Sequence, residues 1–164
     1  MQGSGILPGK WIEVATKCVA EVSAASLSRG FEERPGAVAP TGLSGSLVSL
    51  ASGSNVTAIM IASTPDGCRE LAGAMLGMDA TEAQELSHDD VRDSIGELVN
   101  IVVGAIKSAM SGEDPELALG LPLFLEGPFE PDRHSHTEVA ICDVGGTPCV
   151  VSVVVGEAAR RQAA

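Results

Sequence analysis

Glu97 and Asn100 are the residues of this 164-residue chain whose types and spacing best suit chemistry on another molecule. They lie in DDVRDSIGELVNIVVGAIKSAM, residues 89–110. At about 100° per residue on a helix, Val91, Ile95, Leu98, Val102, Ile106 and Ala109 share one arc, the expected buried stripe. The opposite arc holds Asp93, Glu97, Asn100, Gly104 and Lys107. Residues three apart project side by side, so Glu97 and Asn100 pair a carboxylate with a carboxamide. One turn on, Gly104 removes a side chain and lets another surface come close. Asn and Gly each cost a helix interior about 0.5 to 1 kcal/mol relative to Ala, so the arc is not optimised for helix formation. Two short polar groups above a bare patch fit a projection that enters a partner. An ordinary solvated helix face accounts for the same residues without any function.

Other constellations carry less. In DRHSHTE, the residues Asp132, His134, His136 and Glu138 would line one face of an extended chain, giving four possible metal ligands. No second cluster supports a metal, and a polar loop entering a strand explains the segment as well. His88, beside Asp89 and Asp90, reads as a helix-terminus residue without chemistry. Cys18, Cys68, Cys142 and Cys149 form no CxxC pair, so neither a zinc site nor a redox motif is visible, and buried thiols are expected. There is no Gly-rich phosphate loop followed by Lys-Ser or Lys-Thr, no GxSxG and no HExxH, which removes nucleotide, serine and zinc hydrolysis.

The elements that must position the 89–110 segment follow from periodicity and punctuation. Apolar residues at spacings of three and four predict a helix over Lys10–Ser28, stopped by Gly30. Arg34–Gly42, with its prolines and glycines, reads as a loop. Ser44–Ala51 and Asn55–Ser63 are strand-like runs joined by Ser-Gly-Ser, a hairpin. Thr64 is an N-cap for a helix from Pro65 to about Leu76 with Gly77 as its stop. Asp79–Leu86 is a short helical link, and Ser87 caps the helix that ends near Met110 at SGEDP. Leucines 117, 119, 121, 123 and 125 alternate as in a half-buried strand, while Pro122 requires an edge or a bulge. Thr137–Asp143 and Thr147–Gly156 are two further strands around a tight reversal at Asp143–Gly146. Helices with hairpins on either side predict an α+β fold, helices packed on a mostly antiparallel β-sheet.

The composition bounds the function. Ten Lys plus Arg against 22 Asp plus Glu leave a net charge of −12, which disfavours nucleic acid and anionic lipid. Aromatics are 2% of residues, too few for base-stacking platforms. No segment is apolar for long enough to span a membrane and the start lacks a signal-peptide pattern, so a cytoplasmic protein is expected. The length suits a single domain over 1–164, with 1–9 and 157–164 expected as frayed tails.

The motif Asp93-Ser94-Ile95-Gly96-Glu97-Leu98-Val99-Asn100, followed by IVVGAIK, resembles that of the CheX/CheC/FliY chemotaxis phosphatases and is most similar to CheX. The opening helix WIEVATKCVAEV, the hairpin before the motif, LGLPLFLEG and GTPCVVSVVVGE extend the resemblance over most of the chain. CheC members carry the Glu and Asn pair twice; here the first helix offers only Glu13 and Thr16, so one site per chain is implied. The resemblance implies a CheC-like fold and hydrolysis of the aspartyl phosphate on a CheY-type response regulator. Asn100 would orient the attacking water, Glu97 would dock on a regulator lysine, and Asp93, Gly104 and Lys107 would meet the partner. It implies no cofactor of the chain's own, with Mg²⁺ on the regulator, and a homodimer joined sheet edge to sheet edge. The run Thr147–Val155, rich in Val and short of charge, is the expected edge. A non-catalytic dimeric binding module for a receiver domain is the alternative.

Overall fold

The computed structural model describes residues 6–130 and 133–157. In chain order the elements are α1 (Pro8–Leu27), β1 (Phe31–Glu33), β2 (Ser44–Ser52), β3 (Asn55–Ser63), α2 (Pro65–Met75), α3 (Ala80–Gln84), α4 (His88–Met110), β4 (Ala118–Leu119), β5 (Leu123–Glu126), β6 (His136–Val144) and β7 (Thr147–Glu157). Every strand pairing is antiparallel, in the order β1-β6-β7-β3-β2-β4, with β5 also on β2. The α+β class and the antiparallel sheet are therefore as expected. Among the described residues no helix is long and apolar enough to cross a membrane.

Local chemistry explains most boundaries. Thr64 Oγ1 accepts from the Gly67 amide, and Asp79 closes a capping box with Glu82. Ser87 does the same with Asp90, so α4 starts where the sequence places it. Gly145 and Gly146, at φ 59° and 93°, form the two-residue β6–β7 turn whose mirror-image geometry suits the sheet twist. α1 begins at Pro8, inside the stretch expected to fray, because proline is well suited to a first helical turn. β1 falls between the predicted helix and the predicted loop, where the sequence reading assigns no element: its three residues pair with Cys142–Val144 of β6, and Phe31 packs against the core.

Two expectations need correction. β7 is no edge: it pairs along its length with β6 on one side and β3 on the other. A valine run buried on both faces belongs in the middle of a sheet. The leucine alternation also breaks. Leu119 lies opposite Leu50 and Leu123 opposite Leu47, so β2 advances three residues while the other chain advances four. The extra residue sits at the Gly120–Pro122 break, as a bulge at the sheet edge, and the leucines change face there. Leu117 is buried, but Leu121 is 89% exposed.

The helices cover one face of the sheet, α1 over β6 and β7, α4 over β2, with α1 and α2 flanking α4. Between the layers lies an aliphatic core that includes Val48, Leu50, Ile59, Val99, Val103, Ile106, Val151 and Val153. All four cysteines are free and buried. Burial pushes the Cys68 thiol up to about 11 and Cys142 up to about 12, and raises Cys149 and Cys18 as well. In the unfolded chain these thiols ionise near 9.0. Above that pH the unfolded state holds fewer protons than the native state, so the slope of stability against pH is negative. We expect stability that the thiols leave unchanged through neutrality and that falls between about pH 9 and 12. Denaturant melts of the wild type and a Cys142→Ala/Cys149→Ala variant check this: the variant should lose part of the alkaline slope.

Candidate functional site

α4 carries more buried residues than any other helix among the described residues, and its burial decides which of its residues remain outside. Val91, Ser94, Ile95, Gly96, Leu98, Val99, Val102, Val103, Ile106 and Met110 are buried. The buried arc is wider than the predicted stripe because Val99 and Val103 also pack inward, and it ends on Met110. Ala109, expected inside, is exposed. On the side away from the core, Asp93 and Glu97 are exposed, while Asn100, Gly104 and Lys107 are partly exposed. The structure thus brings the five predicted site residues onto one line along a single helix.

Side-chain bonds along this helix are few. Ser87 pairs with Asp90, and Ser108 donates to the Gly104 carbonyl at 3.1 Å. Arg92 reaches Asp89 at 3.4 Å and Asp93 at 3.6 Å. His88 lies 3.8 Å from Glu126 and edge-on to Phe124, a helix-terminus role. Among the described residues, none of the side-chain hydrogen bonds or ion pairs involves Glu97 or Asn100. One arginine thus offsets Asp89 and Asp93, and the carboxylate beside Asn100 keeps its full hydrogen-bonding capacity. The sequence reading missed the part of Arg92, although its spacing of three from Asp89 is the signal.

A Cβ built on Gly104 meets nothing within 4 Å, so the glycine is not required by packing. The ridge beside Asn100 is bare, as the spacing predicts. The other candidates are not part of this arrangement. Thr16 is buried and its hydroxyl donates to the Glu13 carbonyl at 3.1 Å, so α1 offers no free counterpart of the α4 pair. Its side of the fold borders a cavity of ≈ 400 Å³ with Arg34, Val139 and Ala140, away from the α4 ridge. His136 and Glu138 pair at 2.8 Å, His134 is exposed, and Asp132 lies outside the described residues. Among the described residues no group of three or more His, Cys, Asp or Glu is placed to hold a metal.

Residues 45–142 match the family model described as "Chemotaxis phosphatase CheX". No curated protein matches the chain significantly. Solved structures with this fold include the chemotaxis protein CheX from Vibrio vulnificus, at 14% identity and a TM-score of 0.72, covering 92% of this chain and 99% of that one. The CheX–CheY–BeF3–Mg²⁺ complex from Borrelia burgdorferi aligns at 20% identity and a TM-score of 0.66, covering 90% and 98%. FliY from Thermotoga maritima aligns at 16% and 0.61, covering 92% and 87%.

Because Gly104 fills no packing requirement, Gly104→Ala should raise stability by up to ~1 kcal/mol through helix propensity alone. Urea denaturation checks it, and a loss of stability would mean that the glycine is there for the fold.

Proposed function

This chain belongs to the CheX chemotaxis phosphatase family, and from that premise we propose that it hydrolyses the aspartyl phosphate of a CheY-type response regulator through Asn100 and Glu97. The observation that carries the reading is the α4 ridge, where a carboxamide and a carboxylate stand three residues apart without bonds to their own subunit among the described residues.

The chemistry needs little more. An acyl phosphate is already reactive, so catalysis consists mainly of holding a water in line with phosphorus. The water oxygen forms the new bond to phosphorus, the phosphorus–oxygen bond to the aspartyl group breaks, and the products are inorganic phosphate and the free carboxylate. The Asn100 carboxamide oxygen accepts a hydrogen bond from the water and fixes its direction, as a glutamine does in GTPases. Being neutral, it approaches a phosphoryl group without repulsion. Glu97 pairs with a lysine of the regulator's phosphorylation site and sets the docking register. Asp93 and Lys107 meet the partner on either side, and Gly104 lets its surface come close. Mg²⁺ belongs to the regulator in this reading, and the chain supplies no cofactor.

A cytoplasmic homodimer is part of the same proposal. β1 covers only Cys142–Val144 of β6, which leaves the edge of β6 from His136 to Ala140 open for pairing with a second copy, with Val139 53% exposed there. The alternative, a receiver-binding module without catalysis, predicts binding with no acceleration of phosphate loss.

Phosphate release from a phosphorylated CheY-type regulator tests the roles. Asn100→Ala should lower kcat by about 100-fold with little change in KM, because the water loses its direction. Equal rates for the variant and the wild type, both faster than the regulator alone, would remove Asn100 from the mechanism. Glu97→Lys places like charge against the regulator lysine and should raise KM by about tenfold or more. An unchanged KM with a lowered kcat would contradict the docking role.

A further inference from the structure

Beside the α4 ridge lies a groove of ≈ 270 Å³, walled by Arg92, Asp93, Gly96 and Glu97 of α4 on one side and by Pro122 and Phe124 of the sheet edge on the other. Ser46 of β2, directly opposite Phe124 in the sheet register, also lines it. Ser46 is 0% exposed, and its Oγ is the one buried side-chain polar atom without a hydrogen-bond partner among the described residues. A buried hydroxyl without a partner carries a desolvation penalty and returns nothing to the fold, so native structures keep few. Alanine would serve this position in the isolated chain at least as well.

Gly96 raises the same question. A Cβ there would stand 3.6 Å from the Pro122 Cβ and 3.9 Å from the Ser46 Oγ, both ordinary contacts. The packing therefore accommodates alanine, yet the helix carries its least favoured interior residue after proline. The missing Cβ thins the cover between the groove and the buried Ser46 hydroxyl. Two positions 50 residues apart in sequence thus each depart from what the fold would choose, and both departures open the same recess.

We infer that this groove receives a side chain of the docked receiver domain that has an apolar body and a neutral hydrogen-bonding tip, with Ser46 Oγ as the group that recognises the tip. The inference rests on the regulator-phosphatase reading. Glu97 and Asp93 belong both to the ridge and to the groove, so a protein seated on Glu97 also covers the groove. The Pro122 and Phe124 side chains suit an apolar stem. Ser46 donates and accepts, which suits a hydroxyl or carboxamide, whereas a charged tip would be buried with no countercharge at the floor. Ser46, Gly96 and Pro122 are then positions that set which receivers are accepted.

The test uses the full chain and a CheY-type receiver loaded with BeF3 and Mg²⁺, with Kd measured by calorimetry, and the phosphorylated receiver for kinetics. Ser46→Ala should leave the thermal midpoint unchanged or raised while weakening Kd and raising KM by about 3- to 10-fold, the scale of one hydrogen bond, with kcat unchanged. Gly96→Ala should raise the thermal midpoint and weaken Kd in the same direction. Ser46→Ala that fails to fold or melts earlier would assign the hydroxyl to the fold and overturn the inference. Wild-type Kd and KM in both variants would overturn it while leaving the phosphatase reading intact. A wild-type chain that neither binds nor dephosphorylates the receiver would overturn both.

Discussion

The orientation of α4 about its own axis is the constraint on which the rest of the structure depends. Ten of its residues are buried against β2, α1 and α2, and the aliphatic ones among them span an arc of about 140° at ~100° per residue. Rotating the helix by one residue would swing it by about 100°, drawing valines into water and the Glu97 carboxylate toward the core. A carboxylate without a partner in an apolar interior is far costlier than any alternative packing, so the rotation is fixed on both counts. The site therefore needs no scaffold of hydrogen bonds around Glu97 and Asn100. The core aims them, and their polar atoms remain uncommitted.

Charge is distributed to the same effect. The chain carries a net charge of −12, and Asp89, Asp90, Asp93 and Glu97 all fall in the first half of α4. Ser87 takes up Asp90 in the capping box, and Arg92 takes up Asp89 and Asp93. What remains is one carboxylate beside a neutral carboxamide. In the proposed reaction this is the division of labour that the phosphoryl group imposes, since an anion next to phosphorus would be repelled and a neutral group next to the lysine would give no register. An aspartate at position 100 would meet the first objection, and a glutamine at 97 the second.

The sequence was most legible where the information is local. The caps at Thr64, Asp79 and Ser87, the Gly-Gly turn and the period of α4 are written within a few residues, and they place elements and ridge correctly. What depends on distant partners was not. Strand order is a long-range property: low charge alone points to Thr147–Val155 as an edge, although a valine-rich run marks a strand with both faces covered. β1 is held by β6, more than 100 residues away, and three residues of Phe-Glu-Glu carry no pattern of their own. The groove was illegible for the same reason, since Ser46 and Gly96 meet only through the packing of α4 on β2. The signal nearest to it was Gly96 itself, a glycine inside a well-formed helical pattern, which is a position that usually has a packing or functional cause.

Sheet order also separates the two surfaces that the proposal needs. α4 lies over β2, and the open edge of β6 lies beyond β3 and β7, three strand spacings away, or about 14 Å at ~4.8 Å per strand. The ridge faces outward from the helical layer, whereas edge pairing extends the sheet in its own plane. A second copy joined at β6 would thus sit clear of the docking helix, and each protomer would keep its own site complete. Joining at β7 instead would require the sheet to open on one side of a strand that is paired on both. The central place of β7 and the exposed ridge on α4 are for this reason parts of one arrangement: in the proposed assembly the strand that holds the sheet together is the one that no partner would touch.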